Sequence, residues 1–328
     1  MALALNISSP LHSIGAGACG SVWSTAATND DSQAVAFKRE DGNVGRSLLN
    51  DFEKHKRLAS NVVNCPPEVR SFLLPHYHGF LGANSVNEDL LCRFPDGFRK
   101  PCNTLTMERI PPLGRPVRDF IAEMFCPPSM VQTVKQDIRS RDCLVRPYLG
   151  RRRHAPSILK SFTLRNYILT VDQMEVLGLY KDTYAKAMAE ALAFMHWSAQ
   201  IDADDVEFIL APPRESTDAR CFCSDSLGCH SLWILDFDRC RAMPMNEEGI
   251  LLATAAFYRN DLYFPRPGRE HIEDQRLWQV FKARFLEAST VIINSGETNI
   301  DQSLPAKLVA QIEVHHPQRG GKIEPSLT

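Results

Sequence analysis

Four carboxylates lie close together in the stretch "IDADDVEFIL" (201–210): Asp202, Asp204, Asp205 and Glu207. Two unit charges about 4 Å apart near a protein surface repel by roughly 4 kcal/mol at an effective dielectric of 20. The cluster is either a solvated turn before the apolar run that follows, or the acidic floor of a ligand site. Carboxylates in such a site bind a planar guanidinium through paired hydrogen bonds. A carboxylate left over can act as a general base when its neighbours raise its pKa.

A glycine-rich segment, "IGAGACGSV", places Gly15, Gly17 and Gly20 in G-x-G-x-x-G-x-V spacing. The same spacing serves dinucleotide-binding turns, but those require a helix directly afterwards. Here a strand, a polar turn and a second strand follow, and Lys38 ends "AVAFK". A β-hairpin with a glycine turn and then a lysine is typical of protein-kinase-like N-lobes. Glu53, on a helix predicted over 46–60, is a candidate ion-pair partner of Lys38, or else an ordinary surface acid.

Further signals follow in the order of a kinase chain. "TMERI" resembles a hinge strand, and a long amphipathic helix predicted over 180–197 precedes the acidic stretch. Asp202 stands five residues before Glu207, as in the kinase pattern Asp-x-x-x-x-Asn, and "LDFD" places Asp236 where kinases have the aspartate of Asp-Phe-Gly.

The pattern predicts an α+β, protein-kinase-like two-lobe fold with a small β-rich N-lobe and a larger, mainly helical C-lobe. The predicted boundaries are 1–110 for the N-lobe, 111–170 for the hinge and a basic insertion, and 171–328 for the C-lobe. The segment 104–114 is predicted as a strand that ends in a Pro-Pro break, and 231–241 as a short buried strand that enters an acidic turn. Another helix is predicted over 274–289.

Three residues depart from what phosphoryl transfer requires. Asp204 stands where a lysine normally lies near the transferred group, Glu207 replaces the metal-binding asparagine, and Asp238 replaces the glycine of Asp-Phe-Gly. Cations and metals normally offset the charge of the transferred phosphoryl group, and a carboxylate in place of the lysine opposes that. Kinase activity is therefore not expected. A divergent phosphotransferase or nucleotide-binding pseudokinase remains an alternative, because two carboxylates can hold a metal.

The region 135–165 is strongly basic, with nine Lys and Arg against two Asp, although the net charge of the chain is only −2. It is either a solvated loop or a surface that contacts a phosphate backbone, because clustered guanidiniums bind phosphates with multidentate geometry. The candidate phosphate-binding residues are Arg139, Arg141, Arg146, Arg151, Arg152 and Arg153.

The composition, with 44% apolar and 23% charged residues, is that of an ordinary globular protein. No apolar run reaches the roughly 20 residues of a membrane span, and the N-terminus has no basic segment typical of a signal peptide. Ten cysteines without a secretory signal favour reduced thiols and a cytoplasmic location.

The segments "MAEALAFMHWSAQIDADDVEFIL", "WILDFDR" and "FYRNDLYFPRP" resemble a fungal family first catalogued as a zinc-finger-like domain of unknown function, some members of which are arginine-containing cyclodipeptide synthases. The resemblance covers roughly residues 10–290. It implies an enzyme that takes arginine from arginyl-tRNA, joins it to a second aminoacyl group from another aminoacyl-tRNA, and closes a diketopiperazine. The substrates arrive already activated on tRNA, so no cofactor is expected, although binding of a nucleotide, Mg²⁺ or Zn²⁺ is a further alternative.

The resemblance also suggests roles for the acids and the basic region. The candidate catalytic acids are Asp202, Asp205 and Glu207, with Asp202 or Glu207 as the base that deprotonates an α-amine. Asp204 and Asp205 are candidates for binding the arginine guanidinium. The other candidate substrate-binding residues are Asp236, Asp238, Lys38 and Glu53. The basic region would hold tRNA phosphates. A non-catalytic interaction module of the same fold is a third interpretation.

Cysteines are concentrated in "CFCSDSLGCH", which offers Cys221, Cys223, Cys229 and His230. Four soft ligands can form a tetrahedral zinc site. However, C-x-C is tighter than the usual spacing and two of the residues are adjacent, so a reduced surface loop is favoured and no metal ligand is assigned.

Overall fold

The computed structural model describes residues 9–25, 34–153, 162–215, 220–296 and 300–315. Within them the fold is α+β, with a β-rich N-terminal lobe and a mainly helical C-terminal lobe, as predicted. The strands are β1 (Leu11–Ala16), β2 (Ser21–Thr25), β3 (Val35–Arg39), β4 (Tyr77–Leu81), β5 (Thr104–Glu108), β6 (Val145–Tyr148), β7 (Tyr167–Thr170), β8 (Glu207–Ala211), β9 (Phe222–Ser224) and β10 (Gly228–Leu235). The helices are α1 (Leu48–Val62), α2 (Glu88–Leu91), α3 (Arg115–Phe125), α4 (Val131–Gln136), α5 (Val171–Val176), α6 (Lys181–Ala193), α7 (Glu247–Arg259), α8 (Ile272–Ser295) and α9 (Leu304–Val314).

The N-terminal lobe is an antiparallel sheet with strand order β1-β2-β3-β5-β4. Because side chains alternate along a strand, Val35 and Phe37 of β3 point to one face of the sheet and Lys38 to the other. Val35 and Phe37 belong to a small apolar core with Trp23 and Phe94. Lys38 therefore lies on the face against which α1 packs.

Helix α1 begins after Ser47, whose side chain accepts a hydrogen bond from the backbone N–H of Asn50. Its buried positions recur at spacings of three and four residues: Leu48, Asp51, His55 and Leu58. An acid thus occupies the buried stripe of the helix, on the side that faces Lys38.

The C-terminal lobe carries a second sheet with strand order β7-β6-β8-β10-β9. Strands β8 and β10 are antiparallel, and Glu207, the first residue of β8, pairs with Leu235, the last residue of β10. This register places the acidic stretch before β8 beside residues 236–238, which follow β10. Helix α6 is buried on most of its surface and continues into a π-helical turn over Phe194–Ser198 just before the acidic stretch.

The secondary structure agrees with the sequence-based predictions at several long elements. The helices predicted over 46–60, 180–197 and 274–289 correspond to α1, to α6 with its π-helical turn, and to α8. The strands predicted within 104–114 and 231–241 correspond to β5, which ends before the Pro-Pro pair, and to β10, which begins at Gly228 and ends just before Asp236. No helix in the described ranges is long and apolar enough to cross a membrane.

Candidate functional site

A cavity of about 140 Å³ lies between the two lobes. Gly15, Gly17 and Gly20 of the β1–β2 hairpin line one side of it, and Glu207 and Asp236 line the other. A cavity of this volume is close to the roughly 150 Å³ that accommodates a benzene-sized group, so an amino-acid side chain is a suitable occupant.

Lys38 forms the centre of a buried ionic network on the cavity floor. Its Nζ lies 2.6 Å from Oδ2 of Asp51 and 2.7 Å from Oδ1 of Asp236. Burial disfavours the ammonium, but the two carboxylates outweigh it, so the pKa of Lys38 is raised well above its ordinary value. The pKa of Asp236 is lowered, since its burial is more than offset by Lys38.

Of the two alternatives for Glu53, the structure shows an ordinary surface acid and not the ion-pair partner of Lys38. Glu53 is exposed on α1, and Asp51 makes the ion pair instead. Successive helix residues are about 100° apart, so a shift of two positions moves a side chain to the far side. Asp51 also accepts a hydrogen bond from the backbone N–H of Phe237, 3.1 Å away, and so ties α1 to the segment after β10.

Of the three glycines, Gly20 has the strongest structural requirement. Its φ is +155°, and a Cβ atom there would lie 1.9 Å from the backbone oxygen of Arg39. The N–H of Gly17 donates to the carbonyl of Gly20 at 2.8 Å, which closes the hairpin turn. A Cβ on Gly17 would meet nothing within 4 Å. The turn therefore needs glycine at its last position, where the backbone passes close to β3.

Two of the four acids in the stretch 201–210, Asp202 and Asp204, are buried structural residues. The side chain of Asp202 is fully buried and accepts from both the backbone N–H and the Nε of Arg241, at 2.8 and 2.9 Å. Asp204 receives two hydrogen bonds from Arg259, at 3.1 and 3.0 Å. Arg239 also lies 3.8 Å from Asp204. These contacts disfavour the predicted catalytic role of Asp202 and the predicted substrate contact of Asp204.

Strained backbone positions cluster around the same loop. Ala203, Asp205 and Asp236 have φ values of 57°, 63° and 64°, although none is glycine. Non-glycine residues in this region cost about 1–3 kcal/mol each and are held by their surroundings. Asn260 supplies part of that support, because its side chain accepts from the N–H of Asp205 at 2.5 Å and donates to the carbonyl of Ala203 at 2.8 Å.

Asp205 and Asp238 together bind a guanidinium group of the protein itself. Nη1 of Arg46 lies 2.7 Å from Oδ2 of Asp205 and 2.9 Å from Oδ1 of Asp238. The Asp205 side chain is 40% exposed, whereas that of Asp238 is only 1% exposed. Burial and the nearby Asp236 raise the pKa of Asp238 to about 6. Of the two acids, only Asp205 is open to a ligand from solvent, whereas Asp238 is reached only when Arg46 moves away.

Glu207 combines access to the cavity with a strongly perturbed carboxyl group. Burial raises its pKa from an ordinary 4.5 to about 7, and the neighbouring Asp236 and Asp205 add to the rise. Arg146 opposes it from 2.6 Å. A carboxyl group with a pKa near neutrality exchanges protons readily at physiological pH, which is what a general base requires.

The six arginines of the predicted phosphate-binding region do not form a single free surface. Arg146 lies in the cavity with Glu207. Arg152 bonds to Glu175 and Asp274, and Arg153 to Asp172. Arg139, Arg141 and Arg151 are exposed, and Arg139 also pairs with Asp137 at 2.8 Å. Residues 154–161, which carry part of the basic motif, lie outside the described residues.

The cysteine-rich segment forms a hairpin of β9 and β10. The sulphur atoms of Cys221, Cys223 and Cys229 all lie within 4.8 Å of one another. His230, the fourth predicted candidate ligand, is buried on the opposite face, where Nε2 lies 2.6 Å from the hydroxyl of Tyr184. The four residues therefore do not form one site, but the three cysteines do lie together.

Three residues of the site were not predicted from the sequence: Asp51, Arg46 and Asn260. Asp51 could have been found from the phase of the apolar stripe on α1, which includes it and excludes Glu53. Asn260 lies in the motif "FYRNDLYFPRP", but its hydrogen-bond partners, Asp205 and Ala203, are 55 and 57 residues away in sequence. No local signal marks Arg46, whose two carboxylate partners are 159 and 192 residues away.

A family model described as "DUF3669: Zinc finger protein" matches residues 232–297, about a fifth of the chain. The matched segment runs from β10 to the residue after Gly296 and includes "WILDFDR" and "FYRNDLYFPRP". It agrees with the zinc-finger-like family that these motifs resemble, and it assigns no activity. The segment contains one cysteine, the buried Cys240, and one histidine, His271, so it provides no zinc ligand set of its own. No curated protein matches the chain.

Proposed function

We propose that the chain is a tRNA-dependent cyclodipeptide synthase that makes an arginine-containing diketopiperazine from arginyl-tRNA and a second aminoacyl-tRNA. The observation that carries the proposal is the pair Asp205 and Asp238, which already binds the guanidinium of Arg46. A substrate arginine would take the place of Arg46, so one guanidinium replaces another and the charge of the site is conserved. Asp205 is exposed enough for this exchange.

Glu207 is the proposed base. The α-amino group of one aminoacyl ester must lose a proton as it attacks the carbonyl carbon of the other. An amide bond forms, the ester bond breaks, and the tRNA hydroxyl leaves with a proton. A second attack of the same kind closes the ring and releases the second tRNA. Since both esters are already activated, the site has to position two substrates and move protons, and no phosphoryl transfer is needed.

The scaffold of the proposed enzyme is protein-kinase-like. A five-stranded sheet with one long packed helix, a lysine on β3 paired with an acid on that helix, and Asp236 after β10 support this interpretation. The residues that would serve phosphoryl transfer are altered. Asp204 is engaged by Arg259, and Glu207 by Arg146, at positions where a kinase has a free lysine and a metal-binding asparagine.

The proposed tRNA contact uses the exposed residues Arg139, Arg141 and Arg151. A cytoplasmic location would follow from the use of cytoplasmic aminoacyl-tRNA. The three arginines should give a salt-dependent affinity, because each phosphate contact releases counterions. Their simultaneous replacement by alanine should weaken tRNA binding and flatten its salt dependence, while Arg152→Ala should act mainly on stability, because Arg152 is held by two carboxylates.

Production of the diketopiperazine in a heterologous host, measured by mass spectrometry of the medium, tests the proposal. Wild-type protein should give a product that contains labelled arginine, and Asp205→Asn should lower it by at least about 100-fold. Asp182→Asn is the matched control, since Asp182 also pairs with an arginine, Arg276, on the surface of α6. Purified protein that is folded but forms no cyclic product from arginyl-tRNA and a mixture of aminoacyl-tRNAs would refute the proposal.

A nucleotide-binding pseudokinase is the second candidate, and one observation favours it. Gly15, Gly17 and Gly20 line the same cavity as Lys38 and Asp236, which is the arrangement that binds nucleotide phosphates in kinases. Binding of ATP, with and without Mg²⁺, is measured by the shift in melting temperature and compared between wild type and Lys38→Met. A shift that requires Lys38, in a protein that makes no cyclic product, would favour this candidate.

A further inference from the structure

The β9–β10 hairpin brings three thiol groups to one face. Cys221 and Cys223 are two residues apart in an extended segment, so their side chains point the same way. Cys223 is directly opposite Cys229 in the antiparallel pairing. The alternation of the strands and the register of the hairpin therefore determine that all three share a face.

The distances suit a single metal ion. Sulphur ligands 2.3 Å from a tetrahedral zinc ion lie about 3.8 Å from one another. Sγ of Cys221 lies 3.9 Å from Sγ of Cys223, and Sγ of Cys223 lies 2.7 Å from Sγ of Cys229. The second separation must open by about 1 Å, which a change of side-chain torsion allows because Cys223 and Cys229 are both exposed.

His230 cannot be the fourth ligand, because both of its ring nitrogens are used. Nδ1 lies 2.8 Å from the carbonyl oxygen of Gly228, which can only accept, so Nδ1 carries the proton. Nε2 then accepts from the hydroxyl of Tyr184. Burial lowers the pKa of His230, which keeps the ring neutral in this arrangement.

We propose that Cys221, Cys223 and Cys229 bind one Zn²⁺ ion as thiolates, with an exogenous ligand such as water in the fourth position. Without metal, hydrogen bonding to Cys229 raises the pKa of the Cys223 thiol to about 12, so the metal must displace protons from the thiols. The ion would fasten the β9–β10 hairpin at the end away from Asp236. This site is separate from the proposed synthase site, and its test is independent of any activity.

Metal binding is measured on the full chain, purified with a reductant, stripped with a chelator and titrated with Zn²⁺ and then Co²⁺. One equivalent of Zn²⁺ should bind and raise the melting temperature, and Co²⁺ should give a thiolate-to-cobalt charge-transfer band. Cys223→Ser should weaken Zn²⁺ binding by at least about 100-fold. Cys92→Ser, which alters an exposed cysteine outside the cluster, should leave it unchanged.

Two results would overturn the site. One is Zn²⁺ affinity that is the same in wild type and in Cys223→Ser. The other is a Co²⁺ complex without the charge-transfer band, which would show that other residues bind the metal. His230→Ala provides a further check, because it should lower stability through the lost Tyr184 contact and still bind one equivalent of Zn²⁺. Loss of Zn²⁺ binding in that variant with an intact fold would make His230 a ligand and contradict the proposed ligand set.

Discussion

Replacing Glu207 with glutamine should remove a large part of the pH dependence of stability. The pKa of Glu207 is about 7 in the folded protein, against an ordinary value of 4.5. Between these two values the folded state binds more protons than the unfolded state, so the free energy of unfolding falls as pH rises. For a single group with these two values, the fall between pH 5 and pH 8 is about 2.5 kcal/mol.

Glutamine does not titrate, so Glu207→Gln should lose this contribution. The variant also changes the pairing with Arg146, but that effect is nearly constant with pH because an arginine stays charged throughout. Asp238, whose pKa of about 6 is also raised, contributes a fall of the same sign in both proteins. The difference between the two pH profiles therefore isolates Glu207.

Urea unfolding at pH 5, 6, 7 and 8 measures the effect. Glu175→Gln is the matched control, because Glu175 also pairs with an arginine but has its pKa lowered to about 2. Glu175 is ionised in both states above pH 5, so its replacement should shift the profile without changing its slope. A Glu207→Gln profile parallel to that of wild type would show that Glu207 is already ionised at pH 5. It would remove the physical basis for Glu207 as a base.

Four other substitutions test the structure around the site. Arg46→Ala leaves the buried Asp238 without its cation, so the free energy of unfolding at pH 7 should fall by about 3 kcal/mol, and added arginine ethyl ester should restore more of it than lysine ethyl ester does. Equal recovery with both esters would contradict a guanidinium site. Asn260→Ala should cost about 1–3 kcal/mol in urea unfolding through the two lost hydrogen bonds, and an unchanged midpoint would show that they do not hold the strained turn. Gly20→Ala should cost about 3 kcal/mol or more, while Gly17→Ala should be nearly neutral, and similar losses in both would contradict the close approach at Gly20.

Sequence periodicity was sufficient to predict the elements that carry the site. The buried stripes of α1 and α6 and the apolar strands β8 and β10 are local signals, and each can be recognised within about fifteen residues. Lys38 and Asp236 were each singled out by the order of motifs, but the ion pair between them, 198 residues apart in the chain, was not predicted and is seen only in the structure. Glu53 was considered because it lies on the helix predicted after Lys38, whereas the phase of the buried stripe on α1 would have selected Asp51.

The burial, the ion-pair partner and the pKa of each acid could not be predicted from the sequence, because they depend on residues that are distant in the chain. Asp202, Asp204 and Asp205 are near neighbours, yet the first two are buried with arginines and the third is exposed beside Arg46. The pKa of Glu207 depends on burial between two lobes and on Asp236, which is 29 residues away in sequence. The sequence shows how many charged residues the site contains, but which of them are buried and which pair with one another is seen only in the folded structure.

The pairing of charges also constrains what can bind. The carboxylates of the site are Asp202, Asp204, Asp205, Glu207, Asp236 and Asp238, and cations of the chain contact every one of them. A cationic ligand that simply added its charge would find no unpaired carboxylate among these six, so it must exchange with a cation already present. Exchange at Asp202 or Asp204 would break buried pairs, whereas exchange at Asp205 removes a partly exposed side chain and inserts a group of the same shape. Under the proposed function, Asp205 and Asp238 would select a guanidinium, because the guanidinium of Arg46 already defines their geometry.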